Sequence, residues 1–145
     1  MTIDRNGAGA FVYNKNSSTG RLTLRQTITV VGDNSEAYAG VLTDNHAWFG
    51  YGKRNGILYN YTFDGNNFNL ANQISQNDTD IWSMSLTKDM QHLAVAAYSY
   101  VNVFKVSVVG SSLGFSLYSK INFTHDNFKN VKLMDDFSHL LVANG

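Results

Sequence analysis

The feature that most constrains this chain is that it repeats itself. The segments Arg21–Ile28, Asn67–Ile74 and Gly114–Ile121 place apolar residues at the same three offsets, 46 and then 47 residues apart. A chain built from such a period stacks copies of one supersecondary unit, each burying its apolar surface on its neighbours. In Leu22-Thr23-Leu24 and its counterparts the apolar residues alternate with polar ones. That is strand periodicity, and it predicts one buried face.

Two further sets of segments recur with the same spacing. Val41–Gly50 resembles Ser85–Ala96 and Lys132–Ala143, each an apolar stretch, a polar turn containing Asp, and a second apolar stretch. This pattern reads as a β-hairpin. Between these lie Ala10-Phe11-Val12-Tyr13, Ile57–Tyr61 and Val101–Phe104, each followed by a turn rich in Gly, Ser or Asn. One unit is therefore four strands in about 46 residues, the spacing of propeller blades. No segment carries a sustained 3.6-residue apolar stripe, so helix should be minor.

The expected fold is all-β and β-propeller-like, with about three four-stranded blades of 46–47 residues in circularly shifted phase. The divisions in this single repeat domain are a half-blade at 8–34, blades at 35–78 and 79–127, and a half-blade at 128–145. The opening and closing halves, two strands each, would add up to one further blade. Three blades are too few for an ordinary ring, which has roughly four to eight. The chain is thus expected to pair with a second copy of itself or to belong to a longer propeller.

Composition narrows the partners. Apolar residues make up 43% of the 145, which excludes intrinsic disorder. Lys plus Arg balances Asp plus Glu at 11 each, so no basic face is available for nucleic acid or an anionic membrane. No apolar stretch is long enough for a membrane-spanning helix, and Met1–Arg5 opens no apolar leader, so no membrane insertion is expected. Cysteine is absent, which removes disulfides and thiolate metal sites. Proline is absent too, and Asn and Gly are left to fill turns that need positive φ.

Thr87–Ala96 followed by Tyr100–Phe104 resembles a blade of the lactonase-like (YVTN) propellers, with a polar Asp turn before an apolar strand and an aromatic-containing strand after it. Asn6–Tyr13 resembles the integrin-α type (FG-GAP) blade, in which a Gly-rich turn leads into the third strand. The Asp-x-Asp-x-Asp-Gly calcium loop of the second type is missing here, as are the Trp-Asp and Gly-His dipeptides of WD40 blades. Both resemblances imply a fold more than an activity.

Several residues invite a chemical reading. His46, His92 and His139 recur with the repeat and would suit a metal if they converged; a turn position inherited with each unit explains them more simply. Asp44, Asp89 and Asp136 recur in the same turns and read as Asx-turn acceptors. Gly50–Gly56 is a local oddity between the second and third strands of its unit, with no phosphate-loop pattern. Its Tyr51, Lys53, Arg54 and Asn55 are the candidate partner-binding residues. Trp48 and Trp82 read as packing between blades. Glycosylation sequons begin at Asn16, Asn60, Asn77 and Asn122, with Asn60 poorly placed inside a strand.

No serine elbow, zinc-helix motif or dinucleotide fingerprint occurs. Catalytic residues, a metal and a cofactor are therefore not expected. The expected function is a non-catalytic binding or scaffold segment that recognises a protein or carbohydrate partner through its loops. The alternative is a lactonase- or hydrolase-type propeller enzyme using a channel-lining metal or acid.

Overall fold

The computed structural model describes residues 2–4, 9–29, 37–43, 48–53, 56–75, 80–109, 112–123 and 128–144. Among them every regular element is a strand and none is a helix. β1 (Thr2–Asp4), β2 (Gly9–Lys15) and β3 (Leu22–Ile28) form one sheet. A second holds β4 (Ala37–Leu42), β5 (Trp48–Lys53), β6 (Ile57–Phe63) and β7 (Phe68–Ser75). A third holds β8 (Ser83–Leu86), β9 (His92–Ala96), β10 (Tyr100–Val109) and β11 (Ser112–Asn122), and a last pair is β12 (Phe128–Leu133) with β13 (Leu140–Asn144). Each sheet is an antiparallel meander in chain order. The first strands β4, β8 and β12 lie side by side from sheet to sheet.

The opening sheet has three strands, where two were expected. β1 pairs with β2 through Thr2↔Phe11, Ile3↔Ala10 and Asp4↔Gly9, the place that β5 and β9 hold in their sheets. Three residues with one strongly apolar member carry no periodicity to read.

Burial on both faces explains the composition of the middle strands. In β9, Leu93 and Val95 face the second sheet and pack with Ala39, Leu58, Phe104, Val106 and Leu113. Ala94 and Ala96 face the other way, with Val101 and Val103, onto Val131 and Leu133 of the last pair. A third cluster joins Tyr59, Tyr61 and Phe68 to Ala10, Val12 and Ile28 of the opening sheet. Each large side chain so buried contributes about 1.5–3 kcal/mol relative to exposure.

Hydrogen bonds tie one sheet to the next. The Ser83 and Ser85 hydroxyls in β8 accept from the Val131 and Leu133 backbone N–H groups of β12, at 3.1 and 2.9 Å. Between outer strands, the Gln26 amide donates to Phe68 O at 3.0 Å and accepts from Phe68 N at 2.9 Å. Asn72, at the equivalent position one unit later, donates to Leu113 O at 2.7 Å.

The expected buried face of the outer strands is corrected by a bulge that recurs in all three. The register jumps so that Arg25, Ala71 and Tyr118 each oppose no residue on the neighbouring strand. An extra residue reverses the side-chain alternation beyond it. Leu24, Leu70 and Leu117 consequently sit at 56%, 51% and 57% exposure, although Ile28 on the far side of the bulge is buried.

Asn60 is fully buried in β6, where the equivalent positions in β2 and β10 are Val12 and Val103. Neither its Oδ1 nor its Nδ2 has a hydrogen-bond partner. The Asn60 sequon is therefore closed in the folded chain. An unpartnered buried amide costs about 1–3 kcal/mol. Asn60→Val, restoring the residue of the sister strands, is expected to raise the urea midpoint by about that free energy. Ser85→Ala should lower it by about 1–3 kcal/mol, because the buried Leu133 N–H loses its acceptor. A neutral effect at either site would show that solvent reaches these groups.

Candidate functional site

The first strands of successive sheets end in line, and a cavity of about 530 Å³ opens at those ends. Its walls come from Leu42 and Thr43 after β4, from Leu86, Thr87, Lys88 and Met90 after β8, and from Lys132 and Asp135 around the end of β12. The leucines are the last inward residues of their strands. Thr43 and Thr87 are buried.

The turns after β8 and β12 share one construction. Met90 N donates to Thr87 O and Phe137 N to Met134 O, each at 2.9 Å, closing a β-turn. The residue after the turn's Asp is left-handed, with φ of 59° at Met90 and 60° at Phe137. That is uncommon for a residue with a side chain. The Asp side chains lock this geometry. Asp89 Oδ1 accepts from the Thr87 hydroxyl at 2.6 Å and from Gln91 N at 3.0 Å. Asp136 Oδ1 accepts from the Ser138 hydroxyl at 2.6 Å and from Ser138 N at 3.0 Å. The Asx-turn reading of Asp89 and Asp136 thus matches the geometry, while Asp44 lies outside the described residues.

These bonds hold both carboxyls below the ordinary 3.8. The Thr87 hydroxyl is the main cause for Asp89, followed by Gln91 N; for Asp136 it is the Ser138 hydroxyl, then Ser138 N. Asp135 differs. It lines the cavity and makes no hydrogen bond or ion pair among the described residues, leaving both oxygens available. Lys88 stands at the equivalent position one unit earlier, so Asp135 breaks the repeat. Lys88 and Lys132 line the same cavity. A carboxylate can accept a proton from water, and a cationic side chain can stabilise a developing oxyanion.

His92 and His139 do not form such a set. His92 stacks face to face on Phe137 of the next sheet at 3.7 Å, with Tyr118 edge-on at 5.8 Å, and its buried Nδ1 has no hydrogen-bond partner. His139 is exposed, with its Nδ1 2.9 Å from the Ser138 hydroxyl. His46 lies outside the described residues. Among the described residues no three His, Cys, Asp or Glu side chains come together as metal ligands would.

The stretch singled out in the sequence is more ordered than a loop over its first half. Gly50–Lys53, with Tyr51 and Lys53, continues β5, while Arg54 and Asn55 lie outside the described residues. Lys53 pairs with Ala37 at the start of β4, and the cavity opens at the other end of that strand. At the Lys53 end, Tyr38 and Trp82 stack in parallel at 4.6 Å across two sheets, as expected of packing between units. Sequence reasoning missed Asp135, Lys88 and Lys132. Their common signal is that charge varies at positions where the surrounding repeat holds.

No family model matches the sequence, and no curated protein matches it. Solved structures do. A protein from Lactobacillus plantarum superposes with a TM-score of 0.74 at 16% identity, over 92% of this chain and 41% of its own. A provisionally named 6-phosphogluconolactonase from Bacteroides uniformis superposes at 0.75 and 10% identity, over 92% of this chain and 40% of its own. The periplasmic gluconolactonase of Pseudomonas aeruginosa gives 0.67 and 15%, over 97% and 38%. The chain therefore has an all-β, propeller-type fold and spans about two fifths of the length of these neighbours. They also correct the expected non-catalytic scaffold: proteins sharing this fold are named as lactonases, the alternative reading.

The Asp89 and Asp136 turns generate a pH dependence. A depressed folded-state value stabilises above the unfolded value of 3.8 and is lost as pH falls through the folded one. The Asp89→Asn, Asp136→Asn variant keeps the acceptor oxygens without the titration. It should unfold more easily than the parent at about pH 7, and the gap should be smaller at about pH 3. Urea midpoints at the two pH values check this; a constant gap would locate the acid sensitivity elsewhere.

Proposed function

We propose that this chain is part of a propeller-type hydrolase that opens lactone rings at the cavity beside Asp135. Its strands then amount to about three four-stranded blades in circularly shifted phase, with the cavity on the side where the first strands face the ring axis. The observation that carries the reading is Asp135. It is an uncommitted carboxylate in a cavity, where its neighbours Asp89 and Asp136 are spent on their own turns.

The reaction balances on the residues present. Asp135 accepts a proton from water as the water oxygen bonds to the lactone carbonyl carbon. The carbonyl oxygen becomes an anion, stabilised by the Lys88 or Lys132 ammonium. The ring C–O bond then breaks, the departing alkoxide takes the proton from Asp135, and a hydroxy acid is released. In this reading Tyr51, Lys53, Arg54 and Asn55 serve partner contact and take no part in the chemistry.

The test is hydrolysis of glucono-1,5-lactone followed by pH-stat, corrected for the spontaneous rate. Asp135→Asn should lower kcat/KM by about a hundredfold to ten-thousandfold, and Lys132→Met by about a hundredfold. Asp136→Asn, in the adjacent residue, should leave it within about threefold. Equal losses at Asp135 and Asp136 would refer the effect to the turn and remove Asp135 from the mechanism.

A further inference from the structure

A separate cavity of about 420 Å³ lies at the tip of the β2–β3 hairpin, lined by Asn14, Lys15, Asn16, Thr19, Arg21 and Thr23. Two of these residues are cationic and none is acidic. Among the described residues the Lys15 and Arg21 side chains make no hydrogen bond or ion pair. Arg25, by contrast, is committed: it donates to Asn14 Oδ1 at 3.2 Å and to Asn66 O at 2.8 Å, over the Phe63 ring at 4.5 Å.

The bonds within this tip consume acceptors and leave donors. Asn16 Oδ1 accepts from Ser18 N at 3.0 Å and from Thr19 N at 2.9 Å. Thr19 Oγ1 accepts from Arg21 N at 3.3 Å, and Asn14 Oδ1 is taken by Arg25. The Asn16 and Arg21 carbonyls accept from Gly20 N and Asn16 N, at 2.8 and 2.9 Å. What remains is the two amide nitrogens, the threonine hydroxyl hydrogens and the two cations, all of them donors.

The sister hairpin β6–β7 carries the opposite charge on the same scaffold. Asp64 N donates to Asn67 O as Asn16 N does to Arg21 O, so Asp64 stands at the place of Asn16 and Asn67 at that of Arg21. Phe63 pairs with Phe68 as Lys15 does with Leu22. Asp64 Oδ1 accepts from Asn66 N and Asn67 N at 2.8 Å each, the bonds that Asn16 makes with a neutral amide. The turn therefore forms with either side chain and needs no cation. Lys15, Asn16 and Arg21 together replace one negative charge by two positive ones.

We propose that the β2–β3 tip binds a tetrahedral oxyanion, the phosphate or sulfate group of a small ester. A guanidinium such as that of Arg21 can give an oxyanion two parallel charge-assisted bonds, and Lys15 adds a second charge. A cleft of one sign concentrates counter-ions of the other. The volume leaves room for the organic part of the ester. All six lining residues are exposed, so added salt weakens the attraction. The site shares no residue with the Asp135 cavity and does not depend on lactone chemistry.

Phenyl phosphate, phenyl sulfate and inorganic phosphate are titrated separately into the chain by calorimetry at about 20 mM salt. Saturable one-site binding is expected, and the tightest of the three probes identifies the source of the oxyanion. Arg21→Gln should weaken it about tenfold or more. Asn16→Asp, which brings in the sister turn's carboxylate and keeps the acceptor oxygen, should weaken it at least as much. Lys105→Gln removes an exposed cation on β10 and should leave the affinity within about twofold. No saturable binding of any probe up to about 10 mM overturns the inference. So does an equal loss in Lys105→Gln and Arg21→Gln, which would refer the binding to overall charge, or parental affinity in Asn16→Asp. Urea midpoints confirm that each variant is folded; if Asn16→Asp is not, Arg21→Gln against Lys105→Gln decides.

Discussion

The architecture depends on strands that have no solvent face. β9 is the clearest case: Leu93 and Val95 are buried against one sheet and Ala94 and Ala96 against another. A strand in that position cannot alternate apolar with polar residues, because either phase would bury a polar side chain. It must also alternate size, with large residues on one side and alanines where the next sheet approaches. The three clusters at the three junctions follow from this one requirement.

The same requirement decides what could be read from sequence. The apolar run Leu93–Ala97 was legible because two-sided burial leaves an unbroken hydrophobic signature. The repeat was legible for the same reason, since each unit must present the same surfaces to its neighbours. The outer-strand bulges were not. Arg25, Ala71 and Tyr118 share no chemistry, and a bulge changes the phase of a strand without marking its composition. Leu24 and Ile28 stand an even number of residues apart and would share a face in an unbulged strand, yet the bulge places them on opposite ones.

The candidate site was hidden by the feature that revealed the fold. Searching a repeat draws attention to what recurs, and Asp89 and Asp136 recur because each one builds its turn. Asp135 does not recur. Its counterpart is Lys88, and the turn geometry is the same with either residue because neither contributes a bond to it. Positions freed from structural work are where units can diverge in charge, and in this chain they line a shared cavity. Sequence alone could not show that these residues line one cavity, since they come from strands about one unit apart.

The polar ties between sheets carry a consequence of another kind. Ser83 and Ser85 fit the amides of β12, Gln26 grips Phe68 with two bonds, and Asn72 reaches Leu113 with one. The residues matching Ser83 and Ser85 in β4 are Ala39 and Val41, which offer no hydroxyl to β8. Near-identical units that met through apolar contact alone could dock in any sequence, and a nascent chain could trap itself with the wrong neighbours together. Distinct contacts at successive junctions act as keys: a unit seated beside the wrong partner leaves its amide or amide acceptor unanswered, and the error is unstable enough to undo.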